Sequence, residues 1–189
     1  KDLEIVTIDA KNPFGNGRVL PAGILRQGLS ALKRADIFLL TKVDMVGGLE
    51  DLKDSLARLN PKAEIFESVH KPIGFCNFNK EQERLGLDSF RDKSVALFSG
   101  IADPDSFEDL IRSLGINIGL SLRFGDHHMY TQGDLEEIMQ DAKKKNIDIA
   151  ITTEKDAARL PDLQLKAYSL QLFILRIALK INTNEEKFL

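Results

Sequence analysis

Short apolar runs alternate with amphipathic stretches along most of the chain, and no other feature restricts its fold as strongly. Leu3–Ile8, Ile37–Leu40 and Ala63–Phe66 read as strands, with helix-like segments over Leu25–Arg34 and Leu49–Leu59 between them. In the second of these segments Leu49, Leu52, Leu56 and Leu59 recur at helical spacing, with acids early and Arg58 late, and Asn60-Pro61 stops the helix. The order β-α-β-α-β predicts a parallel sheet with right-handed crossovers. A second series follows, with strands at Ser94–Phe98, Ile116–Leu122 and Ile147–Ile151, helices at Asp105–Leu114 and Asp134–Lys145, and a short helix after Thr153. The run Leu170–Leu179 reads as a last strand.

Between the two series His70–Lys93 breaks the pattern with Pro72, Gly74, the polar stretch Asn77–Arg84 and Gly86. The expected organisation is therefore α/β, with a first lobe over 1–70, a linker or short ribbon such as Ile73–Phe78 within 71–93, and a second lobe over 94–189. Two small parallel-sheet lobes leave a cleft between them, a usual place for a ligand.

The 189 residues carry a net charge of -3, which gives no general electrostatic reason for nucleic-acid binding. One cysteine, Cys76, excludes an intramolecular disulfide and a multi-cysteine zinc site. No apolar run is long enough to span a bilayer, so the chain as given reads as soluble. It opens at Lys1 almost inside a strand, which reads as a piece of a longer protein.

Chemistry-bearing residues fall at the carboxyl ends of the expected strands, where open α/β sheets bind ligands. Asp126-His127-His128 follows Ile116–Leu122 and holds two of the three histidines. An aspartate beside a histidine can fix its tautomer, and the pair can serve proton transfer or metal binding, although Asp126 could equally cap a turn. Phe98-Ser99-Gly100-Ile101-Ala102-Asp103-Pro104 is a strand, a glycine turn and a helix start. Thr152-Thr153-Glu154-Lys155-Asp156 again follows a strand, supplying hydroxyls and both charge signs, with a capping box as the plain alternative. These three clusters are expected to meet at one rim.

In the first series, Phe14-Gly15-Asn16-Gly17-Arg18 can expose backbone N–H groups to an anion, and Arg18 and Arg26 can grip phosphate or carboxylate. Thr41-Lys42-Val43-Asp44 sits where GTPases carry a guanine-reading element, but also suits a plain turn. The pattern G-x-x-x-x-G-K-[ST] occurs nowhere in the chain.

Taken in order, Phe14-Gly15-Asn16-Gly17 with Leu20-Pro21-Ala22-Gly23 and Leu25-Arg26, Phe98–Pro104, Phe124 with Asp126-His127-His128 and Tyr130, and Thr152–Asp156 with Arg159-Leu160 resemble the tetraacyldisaccharide 4'-kinase (lipid A 4'-kinase) family. The resemblance implies a partial P-loop kinase-like lobe and a second Rossmann-like lobe joined by a ribbon. It further implies transfer of the ATP γ-phosphate to the 4'-hydroxyl of tetraacyldisaccharide 1-phosphate, giving lipid IVA in lipid A biosynthesis at the cytoplasmic face of the bacterial inner membrane.

On that resemblance His127, with Asp126 beside it, is the histidine that polarises a catalytic aspartate. Arg26, with Asn16, Gly17 and Arg18, is the substrate side, and Thr152, Thr153, Glu154, Lys155 and Asp156 form the nucleotide side. No residue of this chain is assigned to metal. The family's Walker A loop, catalytic aspartate, main Mg2+ ligands and membrane anchor are expected upstream of Lys1, so this chain alone is expected to be inactive. The family commonly has proline where Ile24 stands and glutamate where Gln27 stands. Two other readings compete: a DHH-type manganese phosphoesterase built on Asp126-His127-His128, and a GTPase-like nucleotide-binding module built on Thr41–Asp44.

Overall fold

The computed structural model describes residues 3–161, 170–182 and 185–188. Elements follow in the order β1 (Ile5–Asp9), β2 (Ile37–Thr41), α1 (Glu50–Leu59), β3 (Glu64–Asn77), β4 (Lys80–Leu85), β5 (Ser94–Ser99), α2 (Pro104–Ser113), β6 (Asn117–Arg123), α3 (Gln132–Lys144), β7 (Ile149–Thr153), α4 (Glu154–Ala157), β8 (Gln171–Ile181) and α5 (Glu185–Phe188). They group into two units, Lys1–Lys71 with Ala178–Leu189, and Pro72–Ile177.

In the first unit β1, β2 and β3 pair in parallel, Ile5 opposite Ile37 and Ile37 opposite Glu64. Strand period 2 sends Phe38 and Leu40 to one face and Leu39 to the other. The first face packs with Ile8, Ala35 and Leu56 of α1, and the second with Phe66, Ile181 and Phe188. Leu56 is wholly buried, and such burial contributes on the order of 2 kcal/mol. Asn60 ends α1; its buried amide donates to the carbonyls of Leu32 (3.1 Å) and Ala35 (2.9 Å), tying the helix end to the turn before β2.

Only Leu29–Arg34 of the expected helix Leu25–Arg34 winds, and it does so as 3₁₀ turns. Leu25 is instead drawn into a bridge with Val19: its amide donates to Arg18 O, and its carbonyl accepts from Leu20 N. A residue held in that extended pairing cannot start a helix.

In the second unit β5 lies between β6 and β7, and β7 pairs with β8, all in parallel. On β5, Val95 and Leu97 pack with Phe107 and Ile111 of α2, whereas Ala96 and Phe98 pack with Leu135, Ile138 and Ala142 of α3. A parallel sheet covered on both faces accounts for the unbroken apolar run Val95–Phe98. Beyond β8 the sheet continues to β3 and β4. Phe78 N donates to Leu172 O and Asn182 N to Glu67 O; one strand's numbering rises as the other's falls, so β3 and β8 are antiparallel.

The segment read as a linker or ribbon over 71–93 is the β3–β4 hairpin, with Phe75 opposite Leu85 and Cys76 opposite Arg84. Phe75 is buried against Phe90, their rings 4.9 Å apart edge to face. The sequence reading placed all of 94–189 in one lobe. Here Ala178–Leu189 groups with the first unit, because Ile181 and Phe188 pack on Leu39 and Phe66.

Candidate active site

The carboxyl ends of β5, β6 and β7 meet in a connected set of hydrogen bonds within the second unit. Phe124 N donates to Ser99 O (2.8 Å), which carries the β5–β6 ladder to the last residue of β5. His128 N then donates to Gly125 O (3.0 Å), closing a four-residue turn with His127 at its third position. His127 has φ 62°, a left-handed conformation uncommon for a residue with a Cβ and often found at functional sites. Its amide donates to Gly100 O (3.0 Å), and its side chain is 78% exposed. A Cβ on Gly100 would lie 3.0 Å from both Gly125 O and His128 Cβ. The turn rests directly on that glycine.

The two histidines turn to different partners. His128 stacks on Phe124 with ring centroids 4.8 Å apart, and its Nε2 lies 3.0 Å from Asp134 Oδ2. Asp134 also accepts from Thr131 N and Oγ1 in the capping box that starts α3. The Thr131 amide bond is the main cause that holds the Asp134 carboxyl below the ordinary range, with the Thr131 hydroxyl and His128 helping. His128 thus braces a helix start. His127 Nδ1 lies 3.0 Å from Arg159 Nη2. Its Nε2 is 3.7 Å from Asp126 Oδ2, beyond hydrogen-bond reach.

Beneath the turn lies Asp156, whose side chain is 0% exposed. Its Oδ1 accepts from Gly100 N (2.9 Å) and Tyr130 Oη (3.2 Å), and its Oδ2 accepts from Thr153 Oγ1 (2.6 Å). Burial above all, and the neighbouring Asp156 carboxylate, push the Tyr130 hydroxyl far above its ordinary value, so it stays a donor. Arg159 donates from Nη1 to Gly100 O (3.1 Å) and sits 3.7 Å from Asp156 Oδ1. Thr152, also buried, donates to Phe98 O (2.8 Å).

The five residues read from the sequence as the nucleotide side therefore separate. Thr152 and Asp156 are internal braces without exposed surface. Thr153 caps α4, and Glu154 is engaged by Arg176 Nε and Ile177 N. Lys155 is exposed. Sequence reading passed over Arg159 as a site residue, although it stands one turn beyond Asp156.

Asn16, Gly17, Arg18 and Arg26 lie in the first unit. The Asn16 amide closes its own loop, Nδ2 donating to Ala22 O (2.8 Å) and Oδ1 accepting from Arg18 N (3.1 Å). Gly23 permits this closure, since a Cβ there would come within 2.2 Å of Arg18 O and Asn16 Oδ1. Gly17, at φ 71°, adopts a turn conformation suited to glycine. Arg18 and Arg26 are exposed. Arg26 borders a cavity of about 300 Å³ with Thr7, Phe14, Gln27 and Arg34. Gln27, at the position where the family commonly has glutamate, accepts from Arg34 Nη2 (2.5 Å). Lys42 of the GTPase-like element donates to Asp9 Oδ2 (2.7 Å).

Among the described residues no three His, Cys, Asp or Glu side chains converge to hold a metal ion. No described helix is long and apolar enough to cross a membrane.

Fold and rim together define a mostly parallel α/β protein whose polar side chains collect at strand carboxyl ends. Residues 1–189 match the family model described as tetraacyldisaccharide-1-P 4'-kinase, and the chain belongs to that family. It is 35% identical to the tetraacyldisaccharide 4'-kinase of Elusimicrobium minutum over 98% of this chain and 49% of that protein. It is 37% identical to that of Desulfatibacillum aliphaticivorans over 95% of this chain and 48% of the relative. The chain spans about half the length of these curated relatives. Its fold is similar to a crystal structure of LpxK from Aquifex aeolicus, described as in complex with ATP, with a TM-score of 0.63 and 24% identity, covering 100% of this chain and 50% of that one.

Proposed function

We propose that this chain is a portion of a lipid kinase that transfers the γ-phosphate of ATP to the 4'-hydroxyl of tetraacyldisaccharide 1-phosphate, forming lipid IVA at the cytoplasmic face of the inner membrane. Family membership supports the reaction class. The observation that carries the site is His127, held at the rim through Gly100 O with its imidazole exposed. Its role is to orient and polarise a carboxylate that takes the sugar hydroxyl proton. Asp126, 3.7 Å away, lies too far to be that imidazole's hydrogen-bonded partner.

ATP supplies the phosphoryl group. At the rim this chain offers it the exposed Lys155, on a turn fixed from beneath by Thr152, Thr153 and Asp156. Arg18 and Arg26 present exposed guanidinium groups on the loop that Asn16 and Gly17 shape, suited to the lipid phosphate. The phosphate-cradling loop, the magnesium-binding acids and the catalytic carboxylate are assigned to the half of the relatives' length that this chain does not span. On this reading the 189-residue chain alone is inactive.

The test is ATP-dependent phosphorylation of the lipid disaccharide by the full-length protein. Activity is expected with the full-length protein and absent with the 189-residue chain, and His127→Ala in the full-length protein is expected to lower kcat about 100-fold or more. Wild-type turnover in that variant would remove the role given to His127.

A further inference from the structure

Resting on the reading of His127 as the imidazole that polarises a carboxylate, we propose that Arg159 is a positioning residue that fixes the tautomer and ring orientation of His127. A guanidinium carries donors only. Its Nη2, 3.0 Å from His127 Nδ1, therefore requires a lone pair at Nδ1, and a neutral imidazole accepting there must carry its proton on Nε2. That is the tautomer needed to donate from the exposed side of the ring to a carboxylate.

Arg159 is itself held in place. Its Nη1 donates to Gly100 O, the same carbonyl that accepts the His127 amide, so one oxygen sets both the backbone and the ring partner of the histidine. Asp156, buried and 3.7 Å away, supplies the balancing charge, and Asp156 is in turn fixed by Gly100 N, Tyr130 and Thr153. The planar fork matters here: one guanidinium serves a carbonyl and a ring nitrogen at once, which a lysine ammonium does not reproduce. His128, by contrast, is oriented by Asp134 and owes nothing to Arg159.

The deciding measurement is the imidazole tautomer in full-length protein labelled with ¹⁵N-histidine, read from long-range ¹H–¹⁵N correlations and assigned by the signals lost in His127→Gln. The wild type is expected to show a pyrrole-type Nε2 and a pyridine-type Nδ1 at His127. A proton on Nδ1 would overturn the proposal without any need for a variant at Arg159. Arg159→Met, which keeps side-chain length but removes the donors, is expected to give a mixture of tautomers at His127 with His128 unchanged. It should also lower kcat roughly 10- to 100-fold with KM for both substrates within about twofold. Unchanged tautomer and kcat in Arg159→Met, with His127→Ala inactive, would refute the role of Arg159 and leave that of His127 standing. Full activity in His127→Ala would instead remove the reading on which the role rests.

Discussion

Gly100 N donates to Asp156 Oδ1 at 2.9 Å, joining the end of β5 to a wholly buried carboxylate 56 positions later in the chain. The bond leaves Asp156 saturated from three directions. Asp156→Asn replaces one acceptor oxygen by an NH₂ group that either faces the Gly100 N–H donor or forces the Thr153 hydroxyl to turn and accept, and in both cases it leaves Arg159 without its counter-charge. Breaking a buried pair in this way typically costs about 3 to 5 kcal/mol. Urea unfolding should show that loss, with Tyr130→Phe costing only about 1 kcal/mol.

Gly100→Ala probes the same junction from the backbone. Its new Cβ would lie 3.0 Å from Gly125 O and from His128 Cβ, and neither is the free end of a flexible side chain. The turn carrying His127 must then shift. Overpacking of this kind costs about 1 to 3 kcal/mol. On the proposed function, kcat of the full-length kinase falls more than the melting temperature alone would suggest.

Glu108 supplies an acid-dependent part of the stability. Its buried carboxylate is bonded by Arg123 Nε (2.8 Å), Ser121 Oγ (2.7 Å) and Arg112 Nη2 (2.9 Å). Arg123 above all holds its pKa at about 2, against an ordinary 4.5. Because the folded value is depressed, the unfolded chain binds more protons between these limits. The contribution is complete above about pH 4.5 and lost as pH falls through about 2. At about 1.4 kcal/mol for each pH unit it amounts to on the order of 3 kcal/mol. Chemical denaturation across that window should show wild type and Glu108→Gln converging as pH falls; a constant gap would contradict this account.

Asn60→Ala tests how the first unit joins α1 to the turn before β2. It strips the Asn60 donor from the buried carbonyl of Ala35, while Leu32 O keeps the Ala35 amide. An unsatisfied buried group costs about 1 to 3 kcal/mol, so a loss of that size is expected in the unfolding free energy. Asn60→Asp should behave similarly, because a carboxylate cannot donate to either oxygen.

The strands of the second unit were legible because burial on both faces writes itself as Val95–Phe98 and Ile149–Ile151 without alternation. Helix α1 was legible from the spacing of its leucines. The hairpin was not: β4 is Lys80–Leu85, a polar segment whose strand character comes from pairing with β3 rather than from its own composition. The turn of Leu25 into a bridge with Val19 depends on carbonyl partners that no local propensity reveals. At the rim, residue types at strand ends pointed to His127 and to Thr152–Asp156. Which of them face solvent and which are sealed beneath was decided by three-dimensional packing. The Arg159–His127 bond spans 32 positions; both residues stand in runs that carry the family resemblance, but nothing in the sequence paired them.

Strands β3 and β8 each begin in one unit and finish in the other, since the units divide at Lys71/Pro72 and again at Ile177/Ala178. Each boundary falls within a strand, so neither unit can be excised at a loop. A cut there would leave two half-strands with severed ladders, and a graft of the His127 rim onto another protein would have to carry both strands whole.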